Sequence, residues 1–386
     1  MVDGREGPTY DQLRGAPVFS PDSRRVAYVG AKGNECYLVL DGREYTRNAI
    51  DTGSLMFSPD SQRFVYVGSG GKFIVIDGKE EGKYLHVSHP VFSPDSQRLV
   101  YAVYTRQRMF QGDASIVGDG ITSPKEEDLI AGAGVFSPDS KRLAYVAYRG
   151  YGWSVIVDGI EWRQGFWDED PSIPVFSPDS KKFAYVAKHD NDGDEIKKVA
   201  VAVDGAEHQE YDEIIGTRVV FSPDSRRVAY VAKSGGSCFM VIDGQKYDGP
   251  FPRIRAESLL FSPDGQHVSY VVEEEGKCRV IRDGKPGKEY FEIEDGPHFS
   301  PDSRNLAYLA THGRDPRYRR VPWIKHFLVV EGSGETEYKC EGVNQAELVD
   351  MFALPKRRLF FDGVRAAYAW TVDGNAIRKV EVRLPR

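Results

Sequence analysis

The stretch Val18-Phe-Ser-Pro-Asp-Ser-Arg-Arg-Val-Ala-Tyr28 decides the fold of this chain of 386 residues, because its core recurs throughout the sequence. The tetrapeptide Phe-Ser-Pro-Asp occurs eight times, at successive spacings of 38, 35, 44, 40, 45, 40 and 38 residues. The eight copies begin at Phe19, Phe57, Phe92, Phe136, Phe176, Phe221, Phe261 and Phe299. A period of about 40 residues is typical of architectures that repeat one supersecondary unit, so we expect a repeat protein.

A first turn is predicted inside each copy of the motif. In the first repeat, Pro21 has the fixed φ that a type I turn requires, and Asp22 can accept hydrogen bonds from amides of the same turn. Residues 18–19 therefore end a first strand, and residues 25–29 form a second one. Because the motif repeats, the same hairpin is expected eight times.

A second turn is predicted about 20 residues further on. Asp41-Gly42 is a dipeptide preferred in two-residue hairpins, and it separates a third strand over 37–40 from a fourth over 44–46. The dipeptide recurs at Asp77, Asp119, Asp158, Asp204, Asp243 and Asp283, and as Glu331-Gly332 in the eighth repeat. Each repeat is thus predicted to be a four-stranded antiparallel meander, which is the blade of an all-β β-propeller.

The repeated residues also carry a family resemblance. The pattern Phe-Ser-Pro-Asp-(Ser/Gly)-x-(Arg/Lys/His)-apolar-x-Tyr resembles the blade signature of TolB-type, WD-repeat-like β-propellers of bacteria. The resemblance covers approximately residues 16–332. It implies a scaffold fold that serves mostly in protein interactions, although such blades also cap peptidases of the prolyl oligopeptidase kind.

Both ends of the chain are predicted to be incomplete blades. Residues 1–10 match the end of a third strand, an Asp-Gly turn and a fourth strand, whereas residues 358–384 resemble the first three strands. A composite blade of residues 1–15 and about 343–386 would remove the open edges of a ring. We therefore expect one domain over 1–386 with nine blades; the alternative is eight blades with the C-terminal segment packed outside.

The composition limits the possible partners and location. The formal net charge of −7 is spread along the chain, which predicts solubility and argues against nucleic acid as a partner. No run of 18 apolar residues occurs, and the first residues lack the basic and apolar regions of a secretory leader. We expect a cytoplasmic protein without membrane contact, or a periplasmic one if a leader was removed.

Insertions at one edge of the blades supply the candidate partner-binding residues. Connections from second to third strands, and from fourth strands to the next repeat, lie opposite the Ser-Pro-Asp turns, and long loops often carry function. The eighth-repeat loop is rich in residue types that dominate binding hot spots, namely Arg314, Arg317, Tyr318, Arg319, Arg320, Trp323 and Lys325. The other candidates are Arg106, Arg108 and Phe110 in the third repeat and Trp162, Phe166 and Trp167 in the fourth.

We interpret this edge as a docking surface for an acidic protein partner. The alternative for the eighth-repeat loop is a solvated segment whose Trp323 covers the edge of the ring. Trp162 and Trp167 can equally fill space between blades.

An acidic loop in the fifth repeat is a weak candidate for metal binding. Asp190, Asp192 and Asp194 stand at alternate positions, as calcium ligands often do. The glycine is misplaced for an EF-hand loop, and Val201 stands where a bidentate glutamate is required. We therefore expect no bound metal and no cofactor.

Catalytic motifs are missing from the sequence. There is no Gly-x-Ser-x-Gly, and no hydrolase-sized region lies outside the repeats. We expect a non-catalytic interaction scaffold. The alternatives are a channel-centred enzyme of lyase or hydrolase type and a TolB-like periplasmic component that lacks its leader. His298, which precedes the eighth motif in place of an apolar residue, is expected to be a hydrogen-bonded buried or channel-lining histidine rather than a metal ligand.

Overall fold

A computed structural model describes residues 8–33, 35–46, 50–68, 70–87, 90–107, 112–126, 128–129, 134–149, 152–163, 172–189, 198–312, 325–331, 334–338, 359–362, 366–373 and 376–383. The chain forms two compact units, Met1–Asp190 and Asn191–Arg386. Regular structure in the described ranges is β-strand, apart from one 3-10 turn over Thr52–Ser54 that Asp51 caps. None of the described segments forms a helix that is long and apolar enough to cross a membrane.

The first two repeats each form a four-stranded antiparallel sheet whose strands pair in chain order. The first sheet contains β1 (Gln12–Phe19), β2 (Val26–Lys32), β3 (Glu35–Leu40) and β4 (Arg43–Thr46). The second contains β5 (Met56–Phe57), β6 (Phe64–Val67), β7 (Ile74–Ile76) and β8 (Lys79–Glu81). Asp41 and Gly42 have φ values of 52° and 79°, the left-handed conformation that the predicted two-residue hairpin requires.

In the third and fourth repeats, the first strand is divided into two short pieces that both pair with the second strand. The third sheet contains β9 (His86–Val87), β10 (Val91–Phe92), β11 (Leu99–Gln107), β12 (Gly112–Gly118) and β13 (Ile121–Thr122). The fourth contains β14 (Asp128–Leu129), β15 (Val135–Phe136), β16 (Leu143–Arg149), β17 (Gly152–Val157) and β18 (Ile160–Arg163). The first unit ends with the hairpin of β19 (Val175–Phe176) and β20 (Phe183–His189).

The second unit begins with the hairpin of β21 (Lys198–Val203) and β22 (Ala206–Glu207). Three four-stranded sheets follow, each paired in chain order. The sixth-repeat sheet contains β23 (Glu213–Phe221), β24 (Val228–Ser234), β25 (Ser237–Ile242) and β26 (Gln245–Phe251). The seventh contains β27 (Arg253–Phe261), β28 (Val268–Glu274), β29 (Lys277–Arg282) and β30 (Lys285–Pro286). The eighth contains β31 (Glu292–Phe299), β32 (Leu306–His312), β33 (Lys325–Val330) and β34 (Gly334–Tyr338).

The C-terminal segment forms a three-stranded antiparallel sheet, as the sequence predicts. Its strands are β35 (Leu359–Asp362), β36 (Ala366–Asp373) and β37 (Ala376–Arg383). Residues 1–7 lie outside the described residues. The composite closing blade and the number of blades therefore stay predictions.

The core is built from the second and third strands of the repeats. In β16, for example, the five residues from Leu143 to Ala147 are all buried, so both faces of the strand are covered. The motif tyrosines Tyr66, Tyr230 and Tyr270 are fully buried. A strand covered on both faces has a continuous apolar sequence rather than an alternating one, which explains the recurrent Val-Ala-Tyr-Val runs. The predicted all-β class with a repeated four-stranded sheet is confirmed.

Candidate interaction surface

The Ser-Pro-Asp turns form one edge of the sheets, and their polar groups bond within the turn. In the second motif, Ser58 Oγ donates to Asp60 Oδ1 at 2.6 Å and accepts the Arg63 amide at 2.9 Å. Asp60 Oδ1 also accepts the Gln62 amide at 3.0 Å. Equivalent serine-to-aspartate bonds occur at Asp22, Asp95, Asp139, Asp179, Asp224, Asp264 and Asp302. The repeated carboxylates therefore stabilise turns, as the sequence predicts.

A second hydrogen bond, which we call the serine interlock, joins five of the turns to the next repeat. The Asp60 amide donates to Ser96 Oγ of the third motif at 2.9 Å. Ser96 is buried and has a left-handed φ of 64°, which is unusual for a residue other than glycine. The same bond reaches Ser61, Ser140, Ser180 and Ser303 from the preceding turns. At this left-handed position, a serine supplies a hydroxyl that accepts the amide, which a glycine does not.

An arginine just before the second strand makes a further contact, which we call the arginine clamp. Arg142 pairs with Asp158 of its own sheet at 2.8 Å and donates to the carbonyls of Ser180 and Lys181 in the next repeat, at 3.3 and 2.9 Å. Its guanidinium carbon lies 5.2 Å from the centre of the Phe176 ring. Arginines of other repeats lie over the next motif phenylalanine in the same way: Arg25, Arg63, Arg98 and Arg227. Both contacts identify this edge as structural.

Acid is expected to weaken the fold through the motif aspartates. The hydrogen bond from Ser58 lowers the pKa of Asp60 below its ordinary 3.8, and the other motif aspartates with lowered pKa values also have the serine bond as the main cause. A carboxylate with a depressed folded-state pKa stabilises the fold above its unfolded pKa, and this contribution disappears as the pH falls through the folded value. The Tm should therefore fall as the pH drops below about 4.

Circular dichroism melts between about pH 6 and pH 2 measure this effect. The double substitution Asp60→Asn and Asp95→Asn should reduce the dependence of Tm on pH, because two of the groups no longer titrate. An equally steep dependence in that variant would contradict the assignment.

At the opposite edge of the sheets, the second and third strands are paired up to connections that differ in length between repeats. Four of its connections are tight, and their strands are paired up to Lys32–Glu35, Arg149–Gly152, Ser234–Ser237 and Glu274–Lys277. In the third repeat, pairing continues to Gln107 and Gly112 around four connecting residues, two more than in the tight connections. In the eighth, it continues to His312 and Lys325 around residues 313–324. The eighth-repeat loop is therefore an addition that leaves the strand register unchanged, whereas in the third repeat the register shifts between Tyr104 and Arg106.

Three predicted partner-binding residues lie within the described ranges. Lys325 begins β33, and Arg106 lies in β11 opposite Asp113. Trp162 lies in β18 opposite Val155. The remaining candidates lie outside the described residues, namely Arg108, Phe110, Phe166, Trp167, Arg314, Arg317, Tyr318, Arg319, Arg320 and Trp323, together with Asp190, Asp192 and Asp194 of the acidic loop.

Trp162 is half-buried against the next repeat. Its ring lies 5.4 Å from that of Phe183 in an edge-on arrangement. Tyr45 has the same offset from its Asp-Gly turn and packs in the same way, 5.2 Å from Phe64. This offset is therefore a packing position between successive repeats, which fits the alternative considered for Trp162; its role in partner binding stays a prediction.

A buried ion pair lies beside the fourth sheet. Glu126 is 3% exposed, and Arg149 donates to both of its carboxylate oxygens at 2.6 Å. The remaining Arg149 nitrogen donates to Glu161 at 2.8 Å, and Ser154 donates to the same carboxylate at 2.7 Å. These groups satisfy one another, so the cluster acts as a structural bridge.

A second cluster surrounds Arg255 in the seventh repeat. Its guanidinium contacts Glu273 and donates to Glu292 at 2.5 Å and to the sulfur of Cys278 at 3.2 Å. Burial raises the pKa of the Cys278 thiol, although Arg255 opposes that shift. A buried thiol with a raised pKa is a weak nucleophile, so this cluster also reads as structural.

Two histidines of the described ranges, His298 and His208, contact other side chains. His298 Nε2 lies 3.0 Å from Asp295 Oδ1, in agreement with the expected hydrogen-bonded histidine. His208 stacks on Tyr230, and burial lowers its pKa. Within the part of the chain that the structure describes, no three His, Cys, Asp or Glu side chains are grouped so that they could hold a metal ion.

Comparison of the chain with known protein families and with curated proteins gave no match. Several solved structures are similar. That of a eukaryotic initiation factor is 13% identical over 71% of this chain and 77% of that one, with a TM-score of 0.45. TolB from Acinetobacter baumannii is 16% identical over 72% and 79%, with a TM-score of 0.28. The β-propeller domain of the trilobed protease from Pyrococcus furiosus is 16% identical over 73% and 96%, with a TM-score of 0.32.

Proposed function

We propose that this protein is a non-catalytic scaffold that presents its variable loops to a protein partner. The observation that carries the proposal is the unchanged pairing of β32 and β33 up to His312 and Lys325 on either side of a twelve-residue connection. A loop whose two ends are fixed by paired strands loses less conformational freedom on binding than one on a mobile stem.

The difference between the two edges, one with structural contacts and one with variable loops, supports the same role. Interlocks and clamps use the polar groups of the Ser-Pro-Asp edge, whereas the opposite edge varies in length from repeat to repeat. Binding residues commonly lie on loops that a rigid framework positions. The framework would then need little backbone movement on binding.

The partner that we propose is an acidic protein surface. Residues 313–324 contain four arginines against a single aspartate, and Tyr318 and Trp323 stand among them. Arginine, tyrosine and tryptophan are enriched in binding hot spots. Complementary charge accelerates association and weakens with added salt.

A charge reversal in the loop tests the proposal. The triple variant Arg317→Glu, Arg319→Glu and Arg320→Glu should reduce retention of the partner about tenfold or more, because attraction becomes repulsion. Partners are captured from the native cell extract and identified by mass spectrometry, and the affinity of the purified partner is then measured at two salt concentrations.

A matched variant controls for the change in net charge. Lys141→Glu, Lys181→Glu and Arg226→Glu reverses three cations on the Ser-Pro-Asp edge, whose side chains are each 82% exposed. This control should bind as the unmodified protein does. Equal retention by the loop variant and the unmodified protein would refute the docking role of the loop.

A further inference from the structure

The seventh repeat departs from the arginine clamp. His267 stands just before β28, where the neighbouring sixth repeat has Arg227. Its Nδ1 lies 2.7 Å from Asp283 Oδ2, so it keeps the contact with the Asp-Gly turn of its own sheet. The imidazole stacks on Phe299 of the next motif, with ring centres 6.3 Å apart, but it is shorter than a guanidinium. The fifth and eighth repeats also lack the clamp arginine and have Lys182 and Asn305 at this position.

Arg282 supplies the clamp contacts with the carbonyls of the next turn from another strand. It is the last residue of β29, a position filled in the other repeats by Leu40, Ile76, Gly118, Val157, Val203, Ile242 and Val330. Its guanidinium carbon lies 5.4 Å from the centre of the Phe299 ring, and its nitrogens lie 3.5 and 3.2 Å from the carbonyl oxygens of Ser303 and Arg304.

These contacts repeat those of the ordinary clamp. Arg25 lies 5.2 Å from the Phe57 ring and donates to the carbonyls of Ser61 and Gln62 at 3.3 and 3.2 Å. Ser303 and Arg304 hold the same motif positions as Ser61 and Gln62. The same acceptors are therefore reached by a guanidinium that starts from a different strand.

Arg282 also has an acidic partner in the eighth repeat. Glu331, which replaces the aspartate of the usual Asp-Gly turn, lies 3.4 Å from Arg282 Nη1. Burial raises the pKa of Glu331, and Arg282 opposes that shift. Arg282 thus contacts both hairpins of the eighth sheet, through Phe299 and Ser303 in the first and Glu331 in the second.

We propose that Arg282 is the positioning residue of the loop-bearing eighth sheet and that it takes the role that the clamp arginine has in other repeats, since position 267 is a histidine. This inference rests on the proposed function of the loop at residues 313–324. Arg282 lies at the Ser-Pro-Asp edge, so its effect on partner binding would be indirect. It holds the sheet whose β32 and β33 fix the two ends of the loop.

Substitution and rescue test the proposal in the full-length protein. Arg282→Gln removes the cation and the fork of donors, and amides of β32 should then exchange with deuterium about tenfold faster or more. Partner retention should fall in parallel. Adding His267→Arg should reverse both effects, because an arginine at that position can form the ordinary clamp onto Phe299. If Arg282→Gln does not fold, Arg282→Lys takes its place in the test. It keeps the charge but loses the paired guanidinium donors, so the exchange of β32 amides should increase by less than tenfold.

Arg304→Gln is the matched control, since it neutralises an exposed arginine in the same turn and should change neither exchange nor retention. Exchange in Arg282→Gln no faster than in this control, or no rescue by His267→Arg, would overturn the proposal. If exchange follows Arg282 while partner retention does not change in any variant, the positioning role stands and the proposed function of the loop fails.

Discussion

Replacing Arg142 with alanine is expected to lower the free energy of unfolding by about 2–3 kcal/mol, because a hydrogen bond to a charged group contributes about 1.5–3 kcal/mol. The substitution removes the bonds to the Ser180 and Lys181 carbonyls, the pair with Asp158 and the contact with the Phe176 ring. The contact with the ring adds to this effect. Urea denaturation of the full chain measures the loss.

The neighbouring Lys141 provides the control. Its side chain is 82% exposed and lies 3.8 Å from Asp139. Lys141→Ala should therefore cost about 0.5 kcal/mol or less. An equal loss in the two variants would show that the clamp adds nothing to the contact between successive repeats.

Removing Glu126 is expected to lower the free energy of unfolding by about 3–5 kcal/mol, because the Arg149 guanidinium loses the buried carboxylate with which it pairs. In Glu126→Ala, Arg149 loses both bonds of 2.6 Å and keeps only Glu161. The double variant Glu126→Met and Arg149→Met should recover more than half of the loss, since two apolar side chains of similar length can fill the same space. Urea denaturation distinguishes the two results.

Glu161→Ala serves as the comparison for Glu126→Ala. Glu161 bonds to the same guanidinium, but its side chain is 43% exposed. Its removal should cost about 1 kcal/mol or less, since an exposed pair contributes little. A loss as large as that of Glu126→Ala would mean that burial is not what makes the inner carboxylate important.

Local sequence features predicted most of the fold. Pro21 and Asp41-Gly42 set the two turns of the first repeat, and the motif copies carried the same turns through the chain. The preference of aspartate for accepting hydrogen bonds within a turn also predicted the role of the motif aspartates. Partners far apart in sequence were not predictable in this way. Glu126 and Arg149 are separated by 23 residues, and no local rule connects them.

Some of the missed contacts did leave a signal in the sequence. The second serine of the motif recurs at a left-handed position, where glycine would be easier, and only the seventh motif has Gly265 there. Arg282 is a cation at a position that is otherwise apolar or glycine. Trp162 has the same offset from its turn as Tyr45. Aligning the repeats by strand position, rather than searching for unusual loops, would have identified all three.

The serine interlock has a direction, which has a consequence for how such a chain can change in length. An interior repeat such as the third gives an amide to the following repeat from Asp95 and offers a hydroxyl to the preceding one at Ser96. A tandem copy of such a segment would carry both the donor amide and the acceptor hydroxyl. Neither neighbouring repeat would therefore lose a hydrogen-bond partner. Gene duplication could therefore add whole repeats one at a time while this bond stays complete on both sides of each insertion.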